Sequence, residues 1–457
     1  VSTDHAFPPG FLWGAATSAY QIEGDPLADG AGPSIWHRFS HTPGRVAGNA
    51  TGDLACDHYH RAQEDVALMA NLGLNAYRFS IAWGRVLPDG RGRVNQRGLD
   101  FYQRLVDRLL EQDIQPMITL YHWDLPTALH DRGGWLNPES PAWFADYAQV
   151  LFRALDDRVA AWVTINEPWV AAVLGHLEGV HAPGHADAFE AARVTHHLLL
   201  AHAEACAVYR AIGAHQIGIA LNLEPQYPAS DSAADRAAAD RRDAFINRWL
   251  LDPLFFGRYP EAMPAIFGPA WPDFPSADLE RIRRPADFIG VNYYSRGWVQ
   301  ADPSAWPLGA TRIQRTDAPS TAMGWEVYPN GLTETLLRLK TQYGNPPAYI
   351  TENGAAFEDP APVEDRVEDA HRVAYLRDHI TAAGAALQEG VNLRGYFLWS
   401  LLDNFEWAEG YTKRFGLYRV DPEEQRRIPK ASADFYRKVI ASNGVGMVGR
   451  NRAKGRH

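Results

Sequence analysis

Two stretches of this chain end an apolar run on a carboxylate. Residues 161–168 read AWVTINEP, so Glu167 stands just past a strand-like segment. Pro168 then closes the segment, because proline has no N–H to give to a ladder. Residues 348–354 read AYITENG, with Glu352 directly before the turn signal Asn353-Gly354. A carboxylate at the mouth of a strand is placed for chemistry in a way that one in its middle is not. Two of them facing one pocket suit glycoside hydrolysis, where one must be protonated to release the leaving oxygen and the other ionised to attack or to activate water. At a separation of about 5–5.5 Å the charge of one raises the pKa of the other, which divides the labour between identical side chains.

The elements that would position such a pair alternate along the whole chain. Strands are expected at 11–17, 75–83, 115–124, 161–167, 216–223, 287–295, 348–352 and 393–402. Helices are expected at 57–72, 98–110, 140–155, 185–212, 233–251, 330–343, 365–387 and 430–440. In the second helix Leu99, Tyr102, Leu105, Val106 and Leu109 recur at three-to-four spacing. Ser140-Pro141 reads as an N-cap with a first-turn proline, Asp365 and Glu368 have capping-box spacing, and Asp57 reads as a cap for the first helix. Strand–helix alternation implies parallel pairing with crossovers, and eight such units without an internal linker imply a single α/β domain over residues 1–457, a (β/α)8 TIM barrel, in preference to an open doubly wound sheet. The Gly- and Pro-rich pieces at 25–52 and 301–324 read as long loops over the C-terminal mouth, and 444–457 as a loose tail.

Barrel enzymes carry their sites at the C-terminal ends of the strands. The polar residues there are Gln21, Arg78, His122, Asn166 with Glu167, Asn222, Asn292 with Tyr294, Glu352, and Glu406 with Trp407; Trp399 lies inside the last strand. The chain has 457 residues, a formal net charge of −11 and 15 Trp, so a basic nucleic-acid or anionic-membrane face is not expected, whereas indoles near polar strand ends suit sugar faces. No phosphate loop, His-Glu-x-x-His helix or Gly-x-Ser-x-Gly elbow occurs, and Asp57-His58-Tyr59-His60 sits at a helix start rather than a strand end. No metal or other cofactor is therefore expected. Cys56 and Cys206 match no zinc spacing and read as buried, reduced thiols. With no signal-like leader and no apolar run near 18 residues, the expected location is the cytoplasm, with self-association into a homo-oligomer left open.

Several ordered motifs then carry a resemblance. TINEP at 164–168 and ITENG at 350–354 resemble the two signature motifs of family 1 glycoside hydrolases, the β-glucosidases. FPPGFLWGAATSAYQIE at 7–23, YRFSIAW at 77–83, YHWDLP at 121–126 and WSLLDNFEW at 399–407 resemble that family too, so the likeness runs from about Phe7 to Ile440. It implies a retaining double displacement on small β-glucosides, with Glu352 as nucleophile and Glu167 as acid/base. Arg78 and Tyr294 would orient Glu352, Asn292 would support the carboxylates, and Asn166 would bind the 2-hydroxyl. Gln21, His122, Trp123, Trp399, Glu406, Trp407 and Phe415 would form the subsite for the non-reducing sugar. Trp169, Leu174, His181, Asn222 and Trp325 would line the aglycone side. A bell-shaped pH profile follows, its acid limb from Glu352 and its basic limb from Glu167. Glu406 speaks against a 6-phosphorylated substrate despite Lys413 nearby, and two intact carboxylates speak against a binding-only barrel.

Overall fold

A computed structural model describes residues 7–284 and 286–446. Eight parallel strands close into a barrel: β1 (Leu12–Ala16), β2 (Ala76–Ser80), β3 (Gln115–Tyr121), β4 (Ala161–Asn166), β5 (Gln216–Asn222), β6 (Phe288–Asn292), β7 (Ala348–Asn353) and β8 (Leu393–Trp399). Each strand pairs with its neighbours in sequence, and β1 closes the ring on β8 in the register Leu12 to Gly395 through Ala16 to Trp399. Both faces of these strands are covered, so they read as nearly continuous apolar runs rather than alternating ones. The interior is filled by Ala16, Ala76, Met117, Ala161, Val163, Ala220, Phe288, Tyr349 and Phe397. The outer layer of helices packs on the opposite strand face; the pair Ser140–Leu155 and Ala188–Ile212 is the most extensive helix contact.

Every expected strand and helix is present, with ends shifted by a few residues. The helix expected over 233–251 is three consecutive pieces, Ala233–Asp243, a wider turn Ala244–Arg248, and Trp249–Phe256. Three capping expectations are corrected. Asp57 is in the left-handed region at φ 51° and caps nothing; its carboxylate instead accepts from His60 and Arg61. The helix expected from Asp365 begins at Ala370. There Asp365 pairs with Arg426 and Glu368 with Arg366, both on the surface, so neither reaches the helix start. Ser140 is the first helical residue rather than the cap, and Glu139 takes the cap position.

The two long loops hold structure of their own. Within 25–52 the helix Ile35–Ser40 is capped by Ser34, whose Oγ accepts from the His37 N–H at 3.2 Å. Within 301–324 the strand Ala310–Ile313 pairs antiparallel with Gly297–Ala301, which pairs with Gln226–Pro228 to make a small sheet beside the barrel mouth. At the start of the expected tail, Gly444 N–H is bonded to Val439 O at 3.0 Å, and residues 447–457 lie outside those described.

One glycine bears directly on the site. A Cβ on Gly354 would lie 1.7 Å from the Trp399 carbonyl oxygen, so only glycine lets the end of β7 press against the end of β8.

Candidate active site

The strand ends converge in register. Asn222 of β5 pairs across to Asn292 of β6, and Asn292 pairs across to Glu352 of β7, so three predicted residues form one row round the barrel mouth. Glu167 follows the last residue of β4 in the left-handed region at φ 47°, held by its N–H on Ala220 O at 2.8 Å. Trp123 and Trp407 have positive φ as well, at 74° and 49°. For non-glycine residues this conformation costs on the order of 1–3 kcal/mol each, and here it turns side chains off the strand ends towards one space.

That space is a cavity of about 490 Å³, in the range of small-ligand sites. Of the sequence-predicted residues, His122, Trp123, Glu167, Asn292, Tyr294, Glu352, Trp399, Glu406, Trp407 and Phe415 line it, together with Trp169, Leu174, His181, Asn222 and Trp325. Gln21, Arg78 and Asn166 stand one layer behind the wall, fully buried.

The two glutamates sit in contrasting environments. Glu352 Oε1 accepts from Arg78 Nη1 at 2.7 Å and Oε2 accepts from Tyr294 Oη at 2.6 Å. Arg78 is itself fixed by Thr351 O, Thr119 Oγ1 and Asn166 Oδ1, at 3.1, 3.2 and 2.6 Å. A guanidinium in contact with one carboxylate oxygen and a phenol on the other make a stable seat for a carboxylate anion. Glu167 has no cation in contact. Burial first, and then the Glu352 charge, raise its carboxyl from 4.5 to about 8, against the opposing pull of the Asn292 hydrogen bond and Arg78. Asn292 Nδ2 donates to Glu167 Oε1 at 2.7 Å, and its Oδ1 accepts from Thr351 Oγ1 at 2.6 Å, which fixes which way the amide points.

The same accounting assigns the imidazole. Asn166 Oδ1 accepts from both Arg78 and Asn292, so its Nδ2 must be the donor towards His122 Nε2 at 3.1 Å. His122 Nε2 is then the acceptor and Nδ1 carries the proton. Burial, with the Arg78 charge adding, holds His122 well below the usual imidazole range, so the ring is neutral. Its Nδ1 has no partner among the described residues, which leaves one N–H donor on the cavity wall. The ring lies nearly parallel to both Trp399 and Trp407, at centroid distances of 5.8 and 6.0 Å. Glu406 faces the same floor. Burial, then Glu352 and Glu409, raise it to about 8, and Gln21 Nε2 lies 3.5 Å from its Oε2. Gln21 is otherwise engaged by Ser18, Phe405 and Asn404 and works from beneath Glu406. Asn166 Oδ1 is filled by its two donors, whereas Nδ2 is bonded to His122 alone and keeps a second N–H without a side-chain or backbone partner among the described residues.

The outer cavity holds residues that the sequence did not single out: Glu178, Val180, Glu224, Arg242, Arg312, Met323 and Glu409. Arg312 pairs with Glu224 at 3.1 Å, and Arg242 Nε donates to Gln226 Oε1 at 3.1 Å. No motif marks these positions, most of which come from loops and the small side sheet, with Arg242 near the end of the helix Ala233–Asp243. Thr351 could have been found, as a hydroxyl inside a buried strand next to Glu352. Among the described residues no helix is long and apolar enough to cross a membrane. Both cysteines are free and buried, as expected.

A floor of one ion-paired carboxylate, one high-pKa carboxyl, a neutral imidazole and stacked indoles can hold a neutral polyol, donate a proton to it and attack it. Comparison with known proteins agrees. Residues 3–445 match the family described as glycosyl hydrolase family 1. The chain is 52% identical over 441 residues to Beta-glucosidase A of Thermotoga maritima, covering 96% of this chain and 98% of that protein. It is 44% identical to the Bifunctional beta-D-glucosidase/beta-D-fucosidase of Bifidobacterium breve, covering 96% and 99%. The solved structure of the family 1 b-glucosidase from Thermotoga maritima superposes with a TM-score of 0.94, covering 96% of this chain and 99% of that one. Barrel, motifs and match along nearly the full length place this chain in glycosyl hydrolase family 1.

Proposed function

We propose that this enzyme is a retaining β-glucosidase that removes terminal non-reducing β-D-glucosyl residues from short cello-oligosaccharides and from aryl or alkyl β-glucosides. The observation that carries this reading is the pair of carboxyls in one cavity with contrasting surroundings, Glu352 against Arg78 and Tyr294, and Glu167 without a cation and raised to about 8 by burial.

In the first step Glu352 attacks the anomeric carbon while Glu167 gives its proton to the departing glycosidic oxygen. Tyr294 and Arg78 hold the attacking carboxylate in place, and Asn292 aims Glu167. Once Glu352 is esterified its negative charge is gone, and with it the second-largest cause of the raised Glu167 pKa. Glu167 then becomes the more acidic group that can take a proton from water, and the water releases the sugar. His122 Nδ1–H and Glu406 are the donor and acceptor for the glycone hydroxyls, with Trp399 and Trp407 beneath its C–H face.

Acceptance of β-fucosides and β-galactosides belongs to the same proposal. A relative is named for both glucosidase and fucosidase, and Glu406 with His122 can bridge hydroxyls of more than one configuration. A 6-phosphorylated substrate is disfavoured because Lys413 donates to Ala322 O at 2.9 Å and pairs with Glu409 at 3.9 Å, leaving Glu406 facing the glycone. Two buried free thiols suit a reducing compartment, and we place the enzyme in the cytoplasm.

The test is inactivation by a 2-deoxy-2-fluoro-β-glucosyl donor followed by intact-mass and peptide mapping. One sugar on Glu352 is expected. Full activity on β-glucosides with no adduct, or an adduct elsewhere, would overturn the mechanism.

A further inference from the structure

Outside the catalytic cavity, three imidazoles gather round one carboxylate. His176 sits in the helical turn Val173–Leu177 that follows β4, and Glu190 in the first turn of the helix Ala188–Ile212. His185 lies on the loop between them. His176 Nδ1 and His185 Nδ1 approach the same oxygen, Glu190 Oε2, at 2.8 and 2.7 Å. One ligand atom from each of the three residues falls within 4.8 Å of the others. His130, at the end of the short helix Thr127–His130, brings a third ring, 5.4 Å from that of His185 between centroids.

We propose that His176, His185 and Glu190 form a binding site for a divalent transition-metal ion of the zinc class. The donor set decides the ion. Two imidazole nitrogens and one carboxylate oxygen suit Zn²⁺, Ni²⁺ or Cu²⁺, whereas Mg²⁺ and Ca²⁺ want shells of oxygen. Two His and one Glu with a fourth position open to water is a donor set that zinc accepts.

Both imidazoles meet Glu190 Oε2 through Nδ1, so on binding each ring would present Nδ1 to the ion and carry its proton on Nε2. Arg38, the nearby cation, is itself paired with Asp131.

The geometry is close to ready. Tetrahedral ligands on zinc stand roughly 3.4 Å apart, so the 2.7 and 2.8 Å contacts must open by about 0.6 Å. His185 and Glu190 have side chains 35% and 21% exposed and can turn by that much, while His176 at 5% is the fixed post. The backbone already holds the three together: His185 N–H bonds Gly175 O at 3.0 Å, Asp187 N–H bonds His176 O at 2.8 Å, and Asp187 caps the helix through Phe189 N–H at 2.8 Å. The ion would therefore clamp the base of the loop that carries Glu178, Val180 and His181 to the outer cavity wall. This site is independent of the proposed glycosidase chemistry.

The test is titration of the full-length protein with ZnCl2 by calorimetry, with thermal unfolding in parallel. One ion per chain with a Kd on the order of 1–10 µM, and a Tm that rises with added zinc, is expected. His185→Ala and Glu190→Gln should each weaken binding by roughly 10- to 100-fold and remove the Tm rise. Both alter half-exposed side chains, and their own Tm without zinc reports whether they fold. His41→Ala is the control, since His37, His41 and Asp53 form a second, more exposed cluster. No binding up to about 100 µM zinc, binding that His185→Ala and Glu190→Gln leave intact, or binding lost in His41→Ala would each overturn the assignment.

Discussion

Replacing Glu167 with Gln tests the electrostatics of the site through stability as well as rate. In the folded protein the Glu167 carboxyl is raised from 4.5 to about 8, chiefly by burial. Between those values the folded state holds a proton that the unfolded chain has lost. Stability therefore falls as pH rises through that window, by about 1.4 kcal/mol per pH unit, and levels off above pH 8. Gln cannot ionise, and its amide oxygen can still accept from Asn292 Nδ2. The variant should thus gain on the wild type steadily from about pH 4.5 to about pH 8. For 457 residues the unfolding entropy is about 1 kcal/mol/K, so the Tm difference should widen by roughly 1.4 °C per pH unit. The assay is scanning calorimetry of both proteins at half-unit pH steps. Over the same range the variant should lose about 10²–10⁴-fold in kcat/KM on cellobiose, whose leaving group needs a proton. Azide should restore turnover of activated aryl glucosides by replacing the water that Glu167 would have deprotonated. Parallel Tm curves would refute the burial argument, and unchanged cellobiose hydrolysis would refute the role as acid.

The remaining predictions are shorter. The basic limb of kcat/KM should fall near pH 8, where Glu167 loses its proton in the free enzyme, and pH–rate profiles on cellobiose check it. Tyr294→Phe removes the 2.6 Å hydrogen bond to Glu352; loss of a bond to a charged group, about 1.5–3 kcal/mol, should lower kcat/KM by about 10- to 150-fold in steady-state assays. Lys430→Met removes the ammonium 2.7 Å from Asp403 and 2.6 Å from Asp359; Arg372 still pairs with Asp359 at 2.9 Å, but Asp403 is left with no cation in contact, which should cost about 3–5 kcal/mol in calorimetry. Arg377→Met removes only an exposed pair with Asp378 and should cost under about 1 kcal/mol in the same measurement.

What could be read from the sequence divides by depth in the barrel. A buried parallel strand must be apolar along its length, so an Asn-Glu or Thr-Glu at its end is conspicuous, and Glu167, Asn292 and Glu352 were legible for that reason. Side chains behind the wall were legible as names but not as places. Gln21 bonds Ser18, Phe405 and Asn404, and Asn166 bonds Arg78, Asn292 and His122, beside the sugar contacts expected of them. Such pairings depend on register between strands far apart in the chain, which local pattern does not carry. Capping failed for a related reason. Asp57 and Asp365 have the right chemistry, but Asp57 is held at positive φ and Asp365 is drawn off to Arg426. The outer wall was least legible. Glu178 comes from a loop and Arg312 from a side sheet that no periodicity announces, Arg242 comes from the end of the helix Ala233–Asp243, and their neighbours are set by how these segments fold back. The floor is thus fixed by strands whose burial leaves few residue types possible, and the wall by loops where many types fit. The same division separates the two halves of the proposed reaction. Bond cleavage is written in the barrel, and the choice of leaving group is written in the loops above it.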